Sequence, residues 1–150
     1  MVRDIGSAAA AHALYRKRGA VELRKLKAAL LTDDLGERDG RAMLYSFSEV
    51  VQMAVAVTLR SHGMRAAAAF AVARKHAPQI HAALSPSAAG DPLLTIVFDD
   101  RLNDGYASQL SDLGTSAPPP AATVVLGVNI ALLAEQVIGR LREFNTRQPS

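Results

Sequence analysis

Hydrophobic residues recur at helical spacing along the first half of the chain. Leu23, Leu26 and Leu30 follow an i, i+3, i+7 spacing, which places them on one face of a helix. Gly and Pro residues mark the ends of similar stretches. The pattern predicts four helices before residue 85. The first two are Ser7–Arg18, which ends before Gly19, and Val21–Leu31. The third begins at Ser46 and ends near Gly63, and the fourth is Arg65–Ala77, which ends before Pro78.

The third of these helices has the clearest starting signal. Ser46, followed three positions later by Glu49, is a capping-box pattern. Just before it, a polar, Gly-containing stretch gives way to a short apolar run. This change predicts a hairpin with its turn near Asp39-Gly40 and a strand over Ala42–Tyr45. The predicted order of elements around the hairpin is therefore helix, helix, hairpin, helix.

The pattern changes after residue 85. Two β-branched, apolar runs, Leu93–Phe98 and Thr123–Val128, predict strands separated by a long polar loop over Arg101–Ala122. Ile130–Phe144 then predicts an amphipathic helix. The predicted fold class is α+β, with a mainly helical domain over residues 1–84 and a small β–loop–β–α lobe over residues 93–144. Because that lobe is too small for a secure core, we expect it to pack on the first half, on a second copy, or both.

Composition narrows the class of protein. The chain has 150 residues, 49% of them hydrophobic, which predicts one globular domain or two small lobes sharing a core. No apolar run reaches the roughly 18–20 residues of a membrane span, and the first thirty residues do not resemble a secretory signal. The absence of Cys excludes disulfides, thiolate zinc sites and a cysteine nucleophile. We expect a cytoplasmic protein with no membrane contact.

Charge is distributed unevenly between the two halves. Residues 1–81 hold 13 Lys or Arg against 7 Asp or Glu, whereas residues 82–150 hold 4 against 7. A basic front half favours a polyanionic partner such as nucleic acid. Differences of this size also occur in ordinary domains, so the positions of the basic residues matter more than their number.

Catalytic and metal-binding motifs are absent from the sequence. It has no Gly-rich phosphate loop, no Gly-x-Ser-x-Gly elbow and no His-Glu-x-x-His motif. His76 and His81 are five positions apart, so a helix would turn them away from each other. The aspartates at 99, 100 and 104 lack the alternating pattern of a calcium loop and fit a solvated turn. We predict no enzyme activity, no metal and no cofactor.

The basic residues concentrate on the first two predicted helices. Arg24 and Lys27 share one face of the second helix with Lys25 on its flank, while the leucines hold another side toward the core. A short helix, a turn at Gly19 and a second helix with a cationic front form the physical design of a helix-turn-helix. In that design the second helix enters the major groove of DNA. The alternative interpretation is a charged face that is merely solvated.

The order and spacing of several segments resemble the winged helix-turn-helix domain of MerR-type regulators. In that family a recognition helix ending in a Leu-Leu pair is followed by a two-stranded wing, which closes with Tyr and then Ser. This chain resembles a divergent member, with Met43 where the family usually has Arg and Leu26 where it usually has an aromatic residue. The resemblance covers about residues 5–78 and is carried by Leu23–Leu31, the loop with Arg38, Gly40 and Arg41, Leu44–Val51, and Leu59–Met64.

The resemblance implies a recognition helix at about Val21–Leu31 in the major groove. It also implies a wing at about Leu35–Tyr45 on the DNA backbone, with Tyr45 at the position of the wing tyrosine that approaches phosphate. Together with the cations at the end of the first helix, the predicted DNA-binding residues are Arg16, Lys17, Arg18, Arg24, Lys25, Lys27, Arg38, Arg41 and Tyr45.

The sequence supports three hypotheses about function. The favoured one is a sequence-specific transcriptional regulator that binds double-stranded DNA as a homodimer through residues 93–144. The second is a protein-interaction module, an adaptor or antitoxin-like partner, that uses the apolar faces of the third and last helices and does not bind DNA. The third is a small enzyme or ligand sensor with a pocket between the two back-half strands and the last helix. The sequence nominates no effector ligand.

Overall fold

Five helices and two antiparallel sheets of three strands each form the described part of the chain. The structure is a computed structural model that describes residues 2–15, 22, 24–25, 35–88, 90–112 and 124–147. This mixture confirms the predicted α+β class. In chain order the elements are β1 (Ile5–Gly6), α1 (Ser7–Leu14), β2 (Glu37–Asp39), β3 (Ala42–Tyr45), α2 (Phe47–Ser61), α3 (Ala66–Lys75), α4 (Ala77–Ala83), β4 (Pro92–Phe98), β5 (Tyr106–Asp112), β6 (Val124–Asn129) and α5 (Ile130–Arg147).

The first sheet has the strand order β1-β3-β2. β2 and β3 pair with Asp39 opposite Ala42, so a two-residue turn joins them, and Gly40 supplies the positive φ of +61° that such turns need. The predicted hairpin and its strand are therefore confirmed. β1, which the sequence did not predict, adds to the other edge of β3 with Ile5 opposite Tyr45.

The first helix is shorter than predicted. It begins at Ser7 as expected but ends at Leu14, because Tyr15 leaves the helical region with φ −133° and ψ 136°. The prediction that this helix continues to Arg18 is therefore wrong at Tyr15, and residues 16–18 lie outside the described ranges.

The middle helices follow the predicted boundary signals with one difference. The Ser46–Glu49 capping box at the start of α2 is confirmed, and Gly63, with φ +102°, follows its C-cap. Pro78 was predicted to stop the fourth helix, but α3 already ends at Lys75 and Pro78 lies in the first turn of α4. Proline is tolerated there because the first N–H groups of a helix have no intrahelical partner.

The second sheet corrects the predicted lobe. Its strand order is β5-β4-β6, so the lobe is β–β–β–α, not β–loop–β–α. β5 falls inside the predicted long loop, and it pairs along its full length with β4, from Pro92 opposite Asp112 to Phe98 opposite Tyr106. The polar residues Ser108 and Gln109 at its centre interrupt the hydrophobic pattern, so the sequence did not predict this strand. An edge strand tolerates such an interruption because it does not need an apolar side chain at every inward position.

One hydrophobic core runs through both halves of the chain. The buried residues of α5, which are Ile130, Ala134 and Val137, join those of α1, α2 and β4 in a single cluster. Arg140 Nη1 donates a 2.9 Å hydrogen bond to the Ala13 carbonyl at the end of α1. The back half therefore packs on the front half, through its last helix. Within the described ranges, no helix is long and apolar enough to cross a membrane.

Candidate nucleic-acid interface

The β2–β3 hairpin presents two arginines to solvent. Arg38 lies in β2 opposite Met43, and Arg41 lies in the two-residue turn. Both residues are exposed, and neither makes an ion pair within the described part of the chain. A guanidinium on an exposed turn can bind a phosphate in a bidentate manner without first breaking an internal contact.

Two predicted recognition-helix cations are also exposed. Arg24 and Lys25 have helical backbone and solvent-facing side chains. Lys25 Nζ lies 3.4 Å from Glu22 Oε1, an exposed i, i+3 pair that stabilises little and is easily exchanged for a phosphate. The other predicted cations of this region, which are Arg16, Lys17, Arg18 and Lys27, lie outside the described residues.

Tyr45 requires a correction. The sequence placed it among the residues that approach DNA, but its side chain is only 1% exposed. The ring packs under the backbone of Gly36, so close that a Cβ built at Gly36 would lie 2.8 Å from Tyr45 Cε1. Tyr45 therefore supports the base of the hairpin from inside and does not present its ring to a partner.

Glu49 joins three segments at the base of the hairpin. Its Oε1 accepts hydrogen bonds from Arg3 Nε at 2.8 Å and from the Ser46 N–H at 3.1 Å, and its Oε2 accepts one from the Gly36 N–H. Arg3 also contacts the exposed Glu37 at 3.3 Å. The carboxylate thus links the segment before β1, the entry to the hairpin and the start of α2. These contacts hold the base of the hairpin in place.

Only part of this junction could be found from the sequence. The capping-box spacing identified Glu49 and Ser46 as partners. Arg3 and Gly36 were missed, since Arg3 reaches a residue 46 positions away and nothing in the local pattern predicts that contact. The only available signal was the glycine itself at position 36, because glycine favours positive φ values such as the +82° found there.

The junction makes stability depend on pH. Burial alone would raise the pKa of Glu49, but hydrogen bonds from Arg3, Gly36 and Ser46 outweigh burial and lower the pKa below its ordinary value. A carboxyl with a lowered folded-state pKa stabilises the fold above its unfolded pKa of about 4.3, and this stabilisation is lost as the pH falls through the folded value. We expect the wild-type chain to lose more unfolding free energy than Glu49→Gln between about pH 6 and about pH 3.

Urea titrations at each pH measure this difference directly. Asp99, half-buried in the β4–β5 turn, has its pKa lowered to about 2 by hydrogen bonds from Arg101, but it is present in both proteins and cancels in the comparison. Equal acid sensitivity in the two proteins would contradict the role assigned to Glu49.

The described residues hold no group of three His, Asp or Glu side chains that could bind a metal ion. His76 is buried and has both ring nitrogens in contact, Nδ1 with Gln79 Oε1 at 2.7 Å and Nε2 with Ser108 Oγ at 2.9 Å. It bridges the α3–α4 junction to β5, whereas His81 is exposed on α4. The two histidines therefore do not share a site.

Two open cavities border the helices of the front half. One lies between α4 and the open end of the β4–β5 pair, and is lined by Gln79, Asp91 and Asp112 among others. The second lies where the N-terminal segment, the start of α2 and the end of α4 meet, and includes Ser46, Ser48 and His81. Neither is in the position predicted for an enzyme or sensor pocket, between the two apolar strands and the last helix.

Comparison with known proteins adds no relative. No model of a known protein family matches the chain, and no curated protein matches its sequence. The likeness to MerR-type regulators therefore stays a prediction from the residues themselves.

Proposed function

We propose that the chain is a transcriptional regulator that binds double-stranded DNA as a homodimer. The observation that carries the proposal is the β2–β3 hairpin, which holds Arg38 and Arg41 in solvent above a base fixed by Glu49. Exposed arginines on a rigid support are suited to phosphate groups, because little conformational freedom is lost when they bind.

The predicted recognition helix adds a second group of exposed cations. Arg24 and Lys25 are exposed on helical backbone, as a helix that enters the major groove requires. In this arrangement about Val21–Leu31 contacts base edges and phosphates, while the hairpin contacts the backbone beside the groove. Tyr45 contributes by supporting the hairpin. Two copies would read paired half-sites, the usual arrangement for regulators of this kind.

The hairpin arginines provide the most direct test. We expect the Arg38→Ala, Arg41→Ala double variant to bind a duplex of mixed sequence at least about tenfold more weakly at low salt. The slope of log binding constant against log salt concentration should fall in magnitude by about 1.8, since each lost phosphate contact removes about 0.9. Fluorescence anisotropy with a labelled duplex over a salt series measures both quantities.

A matched control removes the same charge elsewhere. Arg65 and Arg142 are exposed and make no ion pair in the described part of the chain. Arg65 follows the far end of α2, roughly 22 Å along the helix axis from the hairpin, and Arg142 lies on α5. The Arg65→Ala, Arg142→Ala variant should keep most of the affinity. Equal losses in the two double variants would refute the hairpin contact, and no binding by the wild-type chain would favour the adaptor hypothesis.

A further inference from the structure

β6 is an edge strand with one open side. It pairs with β4 from Val124 opposite Phe98 to Asn129 opposite Leu93, and within the described ranges no strand pairs with its other side. Its first residues are solvent-facing, with Val124 50% and Val125 38% exposed. These two valines are among the few large hydrophobic side chains exposed in the described structure.

The sequence of β6 lacks the residues that normally keep an open edge from pairing. Its six residues, Val-Val-Leu-Gly-Val-Asn, include no charged side chain and no proline. Natural edge strands are usually protected by Lys, Pro, a bulge or a covering segment, because their free N–H and C=O groups bind other strands. The opposite edge of the same sheet, β5, is more polar and ends in Asp112.

We infer that β6 is the dimer interface, pairing antiparallel with β6 of a second copy to form a continuous six-stranded sheet. The inference deepens the homodimer of the proposed function and rests on it for the expectation that two copies associate. The occupant that completes an open edge must be an extended strand, and an uncharged strand meets its own copy without like-charge repulsion. A two-fold axis between the two paired strands makes the contact self-complementary.

The side chains favour one register. With the two-fold axis passing between Leu126 and its copy, Val125 lies opposite Gly127 of the second copy, and the reverse pair is made at the same time. Gly127 and Val125 are both exposed and lie on the same face of the strand, two positions apart. Each valine side chain then lies beside a glycine, which has no side chain to compete for the space. If the register is shifted by one residue, valine and glycine are no longer opposite each other.

A charge introduced on the edge tests the interface. We expect Val125→Lys to weaken the dimer by at least about tenfold, because it brings two ammonium groups onto a formerly apolar contact. Leu102→Lys is the matched control, since Leu102 is a comparably exposed hydrophobic residue that lies in the β4–β5 turn and not in β6. Sedimentation velocity over a concentration series gives the two dissociation constants, and circular dichroism verifies the fold.

Cysteine cross-linking tests the register independently. The natural chain has no cysteine, so the Val125→Cys, Gly127→Cys double variant carries only the two introduced thiols. Within one strand they are roughly 6.6 Å apart along the chain with parallel side chains, which disfavours a bond between them. Residues directly opposite across an antiparallel pair are about 4.5–5.5 Å apart, which a disulfide spans. Mild oxidation should give a covalent dimer from the double variant and much less from Val125→Cys alone.

The outcomes separate this inference from DNA binding. A monomeric wild-type chain, or equal dimer affinities for Val125→Lys and Leu102→Lys, would overturn the interface even if the chain retains DNA affinity. A dimer disrupted by Val125→Lys in a chain without DNA affinity would support the interface and refute the regulator. If Val125→Lys does not fold, the cross-linking result decides, and failure of the double variant to form a covalent dimer overturns the inference.

Discussion

Replacing Glu49 with alanine is expected to lower the free energy of unfolding by about 2–4 kcal/mol. The substitution removes the acceptor for the Gly36 and Ser46 N–H groups and for the Arg3 guanidinium in one step. Buried donors left without an acceptor are more costly than the loss of the bonds alone suggests, because they were already removed from water. Urea unfolding monitored by circular dichroism measures the change.

Glu37 offers a control that contacts the same arginine. Its carboxylate lies 3.3 Å from Arg3 Nη1, but its side chain is 69% exposed, so water replaces the lost contact. We expect Glu37→Ala to change stability by less than about 0.5 kcal/mol. Similar effects of the two alanine variants would show that burial at Glu49 is not what makes this carboxylate important.

Gly36→Ala is expected to destabilise the fold by about 2–4 kcal/mol, for two reasons. Gly36 has φ +82°, a conformation that an alanine adopts with strain. The new Cβ would also lie 2.8 Å from Tyr45 Cε1 and 3.0 Å from the Leu44 carbonyl oxygen. One neighbour is a buried ring and the other is backbone, so neither can move aside at little cost.

Gly40→Ala separates the two reasons. Gly40 also has a positive φ, +61°, but a Cβ added there meets nothing within 4 Å. We expect only the backbone strain, about 1 kcal/mol, from this variant. If Gly36→Ala and Gly40→Ala destabilise the chain equally in urea, the close packing of Tyr45 under Gly36 is not tight in solution.

Local signals in the sequence were sufficient for much of the secondary structure. The Ser46–Glu49 spacing located the start of α2, and the turn glycine with the apolar run after it located the hairpin. The β-branched run Leu93–Phe98 and the periodic stretch beginning at Ile130 matched β4 and α5 closely. Each of these features is encoded within a few neighbouring residues, where propensity and periodicity act.

Features that depend on distant partners were not accessible in this way. β5 has too little hydrophobic pattern to be identified without β4 beside it, and the two-residue strand β1 exists only because β3 lies next to it. The burial of Tyr45 depends on Gly36, which approaches it across the sheet. The sequence correctly predicted that the hairpin cations are exposed, since charged residues are rarely buried without a partner. It could not show that Tyr45 is buried.

The position of α5 has a consequence for how such a chain can evolve. Because the last helix completes the interior of the first half, the amino-terminal segment cannot be transplanted onto an unrelated partner domain without exposing α1 and α2. Exchange of the first half alone is therefore not open to the chain. Substitutions on the outer surface leave the shared core intact, so variation there is tolerated while α1, α2 and α5 must change together.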